Sequence, residues 1–488
     1  MKKLIATSLL AFTGLSLQAQ ERNIEFVEYD LDNGMHVILH EDKSTPIVAV
    51  SIMYHVGSKN ENPERTGFAH FFEHLLFEGS ENIERGEYSE IVEKNGGTLN
   101  ANTSQDRTYY YEILPSNQLE LGMWLESERL FHANVDQQGV ETQREVVKEE
   151  KRQRIDNQPY ASFMGVAFDK VFDEHPYSWI PIGSMEHLDA AQEEDYINFY
   201  KTFYVPANAV LSIAGDISIE ETKVLVDKYF ASIPKGQAIN LLRDVEKLEE
   251  ADFIEKYKVS NTEFNMVDLS KSSAEARKLI KKYENIETVI PRPTVKEKPL
   301  TTVTVDTVYD NIQLPAVFMA YRGPANNTKD GYALQMINDI LSSGTSSRMN
   351  KKIVEKDALA VAAFSFAFPL EDPGMVVTAG IASKDVDLAD LQAALDAEIE
   401  KAQTELVSEE EFQKIKNQYE NQFYSSNGSI AGIAENLANN YMYYGNTDLI
   451  NSELEVYNEI TREDLMEVAK KYFTKDARVI LHYLPKQQ

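Results

Sequence analysis

The segment HFFEH at positions 70–74 holds two histidines and a glutamate within five residues. On a helix the imidazoles of His70 and His74 lie on one face, because residues four apart are about one turn apart. That spacing lets both rings reach a single zinc ion at about 2.0–2.1 Å. Glu73 flanks the same face, where it can accept a proton from a zinc-bound water of pKa about 7. The order indicates an inverted zinc-hydrolase motif, with two structural histidines as the alternative.

Two imidazoles are too few for a tight zinc site, so a third ligand is required. The chain has no cysteine, which restricts the candidates to histidine, aspartate and glutamate. Val146 and Val147 indicate the buried side of an acidic helix, and Glu150 follows them by four and three residues. We therefore expect Glu150 to point inward as the third ligand. The other glutamates of that helix are interpreted as a solvated face: Glu141, Glu145, Glu149.

The elements that must position these residues are predicted from the spacing of apolar side chains. The predicted strands are Met35–Leu39, Ile47–Tyr54 and Tyr109–Leu114, and the predicted helices are Leu119–Leu130, Val140–Ile155, Leu388–Ala402 and Glu409–Phe423. The segment Asp32-Asn33-Gly34 has the composition of a hairpin turn. The mixed order of hairpins and helices predicts an α+β fold, not a regular βαβ series.

The two halves of the chain resemble each other. The spacing of apolar residues at 67–76 is repeated at 331–340. A predicted helix followed by a strand at 195–213 is likewise repeated at 464–481. We interpret this as a duplicated domain, with chance similarity of amphipathic segments as the alternative. The predicted domains are 20–236, carrying the zinc motif, and 300–488, with a charged insertion and linker at 237–299 between them.

Composition narrows the class of protein further. Of 488 residues, 43% are hydrophobic and 26% are charged, as in soluble globular proteins. The formal net charge of -31 argues against nucleic acid or anionic membrane as a partner. Residues 1–19 predict a signal peptide cleaved after Ala19, hence export, most simply to a periplasm or else by full secretion. An uncleaved anchor is the alternative, and no later stretch predicts a membrane span.

Several stretches resemble the pitrilysin, insulin-degrading enzyme and mitochondrial processing peptidase family of inverted-motif zinc peptidases. They are Gly67–Gly79, Gly96–Ala101, Glu149-Glu150 with Asp156–Pro159, His175-Pro176-Tyr177, and Tyr204–Asn208. The resemblance covers nearly the whole chain after the signal peptide. It implies two homologous domains, each a mainly antiparallel sheet flanked by helices, forming one half of a clamshell. It also implies one zinc ion per chain on His70, His74 and Glu150, with peptide hydrolysis by water activated at Glu73.

The same resemblance implies how substrate is held. Residues 99–103 resemble an edge strand to which an extended peptide adds as a further strand, with Asn100 and Ala101 as the substrate-binding residues. Main-chain pairing of that kind recognises extended shape, which suits unfolded peptides. An ordinary paired strand is the alternative. Gln143 stands where family members often carry a glutamate that supports the metal site, and its amide can still orient neighbours by hydrogen bonding.

The second half departs from active family members. Val354 and Val361 stand where an arginine and a tyrosine usually grip substrate, and neither valine donates a hydrogen bond. The metal set is replaced there by Leu334, Ile337 and Asn338. We therefore predict a zinc endopeptidase that is the metal-bearing subunit of a heterodimer, with a related chain supplying the arginine and tyrosine. A non-catalytic binding or assembly subunit is the alternative, and a hydrolase of non-peptide substrates is left open.

Overall fold

A computed structural model describes residues 23–236, residue 240 and residues 290–486. The predicted signal peptide, 1–19, lies outside the described residues, as does most of the predicted insertion and linker at 237–299. Two mainly antiparallel sheets, one of six strands and one of five, are flanked by helices. The predicted α+β fold with two homologous domains is confirmed.

The first sheet is built from six strands in the first half of the chain. They are β1 Val27–Asp30, β2 His36–Glu41, β3 Ile47–Tyr54, β4 Thr98–Thr103, β5 Thr108–Pro115 and β6 Ala209–Gly215. Their order is β1-β2-β6-β3-β5-β4, in which only β2 and β6 run parallel. Gly34 forms the predicted hairpin turn with a φ of 89°, a conformation that glycine adopts without strain. Strand β4 is therefore an edge of this sheet.

The helices of the first half pack mainly on one face of that sheet. They are α1 Phe68–Leu75, α2 Glu87–Lys94, α3 Leu119–Phe131, α4 Gln137–Lys151, α5 Phe163–Val171, α6 Met185–Ala190, α7 Glu193–Phe203 and α8 Ile219–Val226. A π-helical segment, Arg152–Asp156, continues α4 directly. In the described part of the chain, no helix combines the length and hydrophobicity that a bilayer crossing requires.

The second half repeats the first in topology. Its strands are β7 Thr304–Asp310, β8 Ala316–Arg322, β9 Ala360–Phe368, β10 Met375–Ala382 and β11 Val479–Pro485. The order β7-β11-β8-β10-β9 matches β2-β6-β3-β5-β4, and the first pair is again parallel. Its helices are α9 Lys329–Ser342, α10 Leu388–Thr404, α11 Glu409–Ser426, α12 Ile430–Tyr444, α13 Leu449–Glu459 and α14 Arg462–Tyr472. Helix α1 in the first half thus corresponds to α9 in the second.

Each sheet is covered by a helix from the other half, on the face opposite its own helices. Helix α12 packs its apolar side chains on β3 and β6 of the first sheet. Helix α5 does the same on β8 and β11 of the second sheet. This exchange buries apolar surface between the halves, which favours a fixed arrangement of the two domains.

Candidate active site

Helix α1, which carries the HFFEH segment, is held at its first turn by a carboxylate from the loop that precedes it. It begins after Gly67, whose φ is 99° and which has no side chain to cap the helix. The carboxylate of Glu61 instead accepts hydrogen bonds from the N–H groups of Gly67, at 2.9 Å, and Ala69, at 2.8 Å. The indole N–H of Trp179 donates to the same carboxylate at 2.9 Å. Glu61 is buried, so these bonds fix the start of α1 firmly.

The remainder of α1 is held by donors from α3 and β5. The hydroxyl of Tyr110 donates to the carbonyl of Phe72 at 3.1 Å. The guanidinium of Arg129 donates to the carbonyl of Leu76 at 3.1 Å, just beyond the helix end. Arg129 is buried and paired with two buried glutamates, Glu112 and Glu126. Three buried groups therefore position the helix that carries both histidines.

The structure brings His70, His74 and Glu150 together. The Oε2 atom of Glu150 lies 3.5 Å from Nε2 of His70 and 3.1 Å from Nε2 of His74. The three ligand atoms all lie within 4.8 Å of one another. Donors of a tetrahedral zinc ion at about 2.0–2.2 Å are about 3.4 Å apart. The spacing of these atoms therefore fits a zinc ion with only small side-chain movements.

The charge states of His70 and Glu150 also fit a cation. Burial, reinforced by the neighbouring His74, lowers the pKa of His70 to about 4, which keeps its imidazole neutral at pH 7. The short contact with His74 lowers the pKa of Glu150, so its carboxylate is ionised. Neutral imidazoles and an anionic carboxylate are the forms that bind zinc. The donor set is thus chemically suited to the ion.

Helix α4 delivers Glu150 to the histidines, although one premise for expecting this is wrong. Val147 is fully buried as expected, but Val146 is 44% exposed, so Val146 does not belong to the buried side. One buried residue three positions before Glu150 is enough to turn the carboxylate inward. Its other oxygen, Oε1, pairs with Arg154 at 2.8 Å, which leaves Oε2 directed at the imidazoles. The ion pair holds the carboxylate of Glu150 from the solvent side.

Glu73 lies beside this cluster without belonging to it. It comes one residue before His74 on α1, and burial raises the pKa of its carboxyl above the ordinary value. The hydroxyl of Thr103, the last residue of β4, donates to Oε2 of Glu73 at 2.6 Å. A carboxylate with a raised pKa is a better proton acceptor near neutral pH than an ordinary glutamate. The arrangement suits a general base.

Strand β4 offers an open edge next to α1. It pairs with β5 alone, and among the described residues no strand follows it in the sheet. Asn100 is exposed and Ala101 is half-buried against the core of the first half. The side-chain carbonyl of Asn100 accepts a hydrogen bond from the N–H of Ala101 at 2.8 Å. The strand therefore has main-chain groups at its free edge that an extended peptide could pair with.

Gln143 has a different neighbour from the one the resemblance suggests. Its side-chain N–H donates to Glu78, which also pairs with Arg85. Arg85 pairs with Asp136, the residue that caps α4, at 2.8 Å. Within the described residues Gln143 makes no hydrogen bond to a histidine of the cluster. It joins the segment after α1 to α4 through Glu78.

The corresponding positions of the second half hold no metal set. Leu334, Ile337 and Asn338 are buried in the core of that half. Val354 packs against the same core, whereas Val361 is 53% exposed on β9. In the part of the chain that the structure describes, His70, His74 and Glu150 form the only cluster of three potential ligands.

The sequence did not single out Thr103, Glu61, Arg129 or Arg154 as site residues. The only available signals were weak. Arg154 follows Glu150 by four residues, a spacing at which helical charges pair, and Arg129 interrupts the apolar pattern of α3. Glu61 and Thr103 act through contacts with residues eight and thirty positions away, which no local pattern encodes.

Two family models match the chain over most of its length. "Insulinase (Peptidase family M16)" matches residues 36–171, which include the histidine cluster, and "Peptidase M16 inactive domain" matches residues 190–419. The chain belongs to peptidase family M16. The resemblance inferred from the motifs is confirmed. The insulinase match covers the half with His70, His74 and Glu150, and the inactive-domain match covers most of the half that lacks them.

Individual proteins match over nearly the full chain or over part of it. Zinc protease PqqE of Helicobacter pylori is 27% identical over 477 residues, covering 97% of this chain and 96% of that protein. The crystal structure of a protease from Helicobacter pylori matches with a TM-score of 0.81 and 26% identity, over 95% of this chain and all of that one. A probable mitochondrial-processing peptidase subunit beta of Schizosaccharomyces pombe is 27% identical over 212 residues, 43% of this chain and 46% of that protein.

The periplasmic protease PqqL of Escherichia coli shares the fold at lower similarity. Its crystal structure matches with a TM-score of 0.66 and 18% identity, over 94% of this chain and 47% of that one. This likeness supports the two-domain M16 fold. The chain thus has the length of the zinc protease of Helicobacter pylori and about half the length of PqqL.

Proposed function

We propose that this M16 chain is a zinc-dependent endopeptidase that hydrolyses peptides or unfolded segments. One observation carries the proposal: two imidazoles and a carboxylate converge within 4.8 Å, with a second carboxylate beside them. In this assignment His70, His74 and Glu150 bind one zinc ion and Glu73 is the general base. A scaffold protein has no physical need for such a set of polar side chains, since each costs stability unless it is used.

The chain's own residues account for the proton transfers. When bound, zinc would lower the pKa of a coordinated water and polarise the substrate carbonyl. Glu73 accepts the proton of the attacking water and can return it to the departing amine. Because burial raises the pKa of Glu73, the proton is held more readily than by an exposed glutamate. The hydroxyl of Thr103 donates a hydrogen bond to one oxygen of Glu73, which leaves the other oxygen for the proton.

The substrate side of the proposal rests on β4. An extended peptide that pairs with the free edge at Asn100 and Ala101 would lie along α1, since β4 packs against that helix. The side chain of Asn100 must then release the N–H of Ala101. Pairing through the main chain explains why unfolded segments, rather than folded proteins, are the expected substrates.

We further propose a related partner chain. Val354 is packed against the core and the side chain of Val361 has no hydrogen-bond donor. Neither position of the second half can therefore donate a hydrogen bond from its side chain to a substrate. Loss of one oxyanion donor costs about 3–4 kcal/mol of transition-state stabilisation. A paralogous subunit with arginine and tyrosine would restore it, and one relative is itself named as a subunit, that of a mitochondrial-processing peptidase.

The same valines favour a second candidate function, a non-catalytic binding or assembly subunit that keeps the peptidase fold. We place it second because the metal set and Glu73 have their chemistry intact. Export to the periplasm is part of the proposal, on the basis of residues 1–19 and of PqqL, which is named a periplasmic protease. One zinc ion per chain is proposed on the basis of the single described cluster.

The test compares the wild-type chain with Glu73→Gln, alone and co-expressed with a related chain. Zinc content is measured by mass spectrometry, and hydrolysis with an unstructured fluorogenic peptide, with chelator and zinc add-back. We expect one zinc per chain in both proteins and hydrolysis in the wild type only. Glu149→Gln, an exposed change next to Glu150, is the matched control and should retain activity. Zinc binding without hydrolysis in either setting would favour the non-catalytic subunit.

A further inference from the structure

The carboxylate of Glu73 has one hydrogen-bond partner among the described residues, and that partner is on another element. The hydroxyl of Thr103 donates to Oε2 of Glu73 at 2.6 Å, across 30 residues of chain. A bond of this length to a carboxylate is a strong, charge-assisted one. The other oxygen, Oε1, receives no hydrogen bond from the described residues and is free to meet a water molecule.

Thr103 is itself held in place by the turn that ends β4. The N–H of Ser104 donates to the carbonyl of Arg107 at 2.8 Å, and the hydroxyl of Ser104 accepts from the N–H of Arg107 at 3.1 Å. Asp106, in the same turn, is buried and accepts from Lys59 at 2.9 Å and from the hydroxyl of Tyr177 at 2.5 Å. The end of β4 is therefore rigid.

The turn is also fixed to the second half. The N–H of Glu371, in the loop between β9 and β10, donates to Asp106 at 3.0 Å. Lys59 bridges the halves as well, since it pairs with Glu371 at 2.6 Å and with Asp372 at 3.2 Å. The position of Thr103 thus depends on contacts from both domains. Threonine suits this role because its branched side chain has few rotamers and loses little entropy when ordered.

We propose that Thr103 is a positioning residue for Glu73, which joins the end of the substrate strand β4 to the general base. The inference rests on the proposed function. The hydroxyl holds one carboxylate oxygen of Glu73 so that the other faces the attacking water. The strand that would pair with the peptide also carries this hydroxyl, so the peptide backbone and the base are held in one fixed geometry.

The test uses the zinc-loaded full chain and an unstructured fluorogenic decapeptide. Thr103→Val keeps the shape and strand propensity but removes the donor, so kcat should fall about tenfold to hundredfold, with KM within about twofold. Thr103→Ser keeps a hydroxyl and should restore kcat to within about threefold of the wild type. Thr304→Val, at an exposed position of strand β7 in the second sheet, is the matched control and should leave both constants unchanged.

Three results would overturn the proposal: an unchanged kcat in Thr103→Val, a rise in KM alone, or equal loss in the serine and valine variants. An unchanged kcat excludes any role of the Thr103 hydroxyl in catalysis. A rise in KM alone indicates that the hydroxyl binds substrate, and equal loss in both variants indicates that Thr103 acts through its packing. If the wild type hydrolyses no peptide, either alone or with a co-expressed related chain, the proposed function fails. Crystal structures of the zinc-loaded proteins then decide separately. A rotated Glu73 in Thr103→Val, with all three ligands in place, supports the positioning role, and an unmoved Glu73 overturns it.

Discussion

Helices α1 and α9 occupy equivalent places in the two halves but carry different side chains. On α1, His70, Glu73 and His74 are half-buried and face strand β4 and helix α4. On α9 the equivalent side chains, Leu334, Ile337 and Asn338, are 1%, 0% and 2% exposed. The side-chain amide of Asn338 makes its hydrogen bonds within the core. It donates to the carbonyl of Leu334 at 2.7 Å and accepts from the hydroxyl of Ser365 of β9. One helix lines a site, and the other fills a core.

The polar helix α1 and the apolar helix α9 are held in place by different kinds of contact. Helix α9 buries apolar side chains and needs only a local cap, Thr328, whose hydroxyl accepts from the N–H of Gly331 at 3.1 Å. Helix α1 gives three of its positions to polar groups and is instead held by Glu61, Tyr110 and Arg129. Groups that perform chemistry are costly to stability, so the surrounding structure must supply compensating contacts.

The largest expected effect comes from replacing His74 of α1 with asparagine, the residue at the equivalent position, Asn338, of α9. In His74→Asn only two ligands remain, so zinc affinity should fall by more than about a hundredfold, and peptide hydrolysis with it. Zinc content and hydrolysis of an unstructured peptide measure both losses, while circular dichroism should show an intact fold. His482→Asn in β11 is the control and should keep its zinc. Full zinc occupancy in His74→Asn would contradict the proposed ligand set.

The reverse graft should destabilise the protein without creating a site. Leu334→His with Asn338→His puts two imidazoles into a closed core, at a cost of about 4 kcal/mol from overpacking and unpaired polar atoms. Thermal unfolding measures the cost, and zinc content should stay at one per chain. A second zinc ion would show that the core of the second half opens readily, which would contradict the view that α9 only fills a core.

Acid should weaken the contact between the halves at Glu371. Burial alone would raise its pKa, but the hydrogen bond and charge of His55, together with Lys59, outweigh burial and lower the pKa to about 2. This stabilisation is complete above the unfolded pKa of about 4.5 and is lost as pH falls toward 2, about 3 kcal/mol in all. The difference in Tm between wild type and Glu371→Gln should therefore shrink over that interval. A difference independent of pH would contradict this.

The smallest effects distinguish the two helix caps. Glu61→Ala leaves buried N–H groups of α1 without an acceptor and should cost about 2 kcal/mol of unfolding free energy. Thr328→Ala removes the local cap of α9 and should cost about 1 kcal/mol. Urea unfolding of each variant measures these values. Only Glu61→Ala should also lower peptidase activity, and equal activity in both variants would argue against its role in positioning α1.

Much of the fold could be predicted because it follows from local periodicity. Strand β3 has the predicted bounds, and helices α10 and α11 extend only two or three residues beyond theirs. The repeat of topology followed from the matching apolar rhythm of the two halves. The exchange of α5 and α12 did not, because an amphipathic helix specifies that it will be buried but not against which sheet.

In the candidate site, too, some relations follow from local sequence and others depend on tertiary packing. By itself the sequence determined that His70 and His74 share a helix face and that Glu73 flanks it, since these relations depend only on the helical repeat. Only the tertiary structure decided that Glu150 meets both imidazoles, that Thr103 holds Glu73 and that Glu61 caps α1. Those contacts join separate elements of the fold, and their distances are set by the packing of whole elements rather than by the helical repeat.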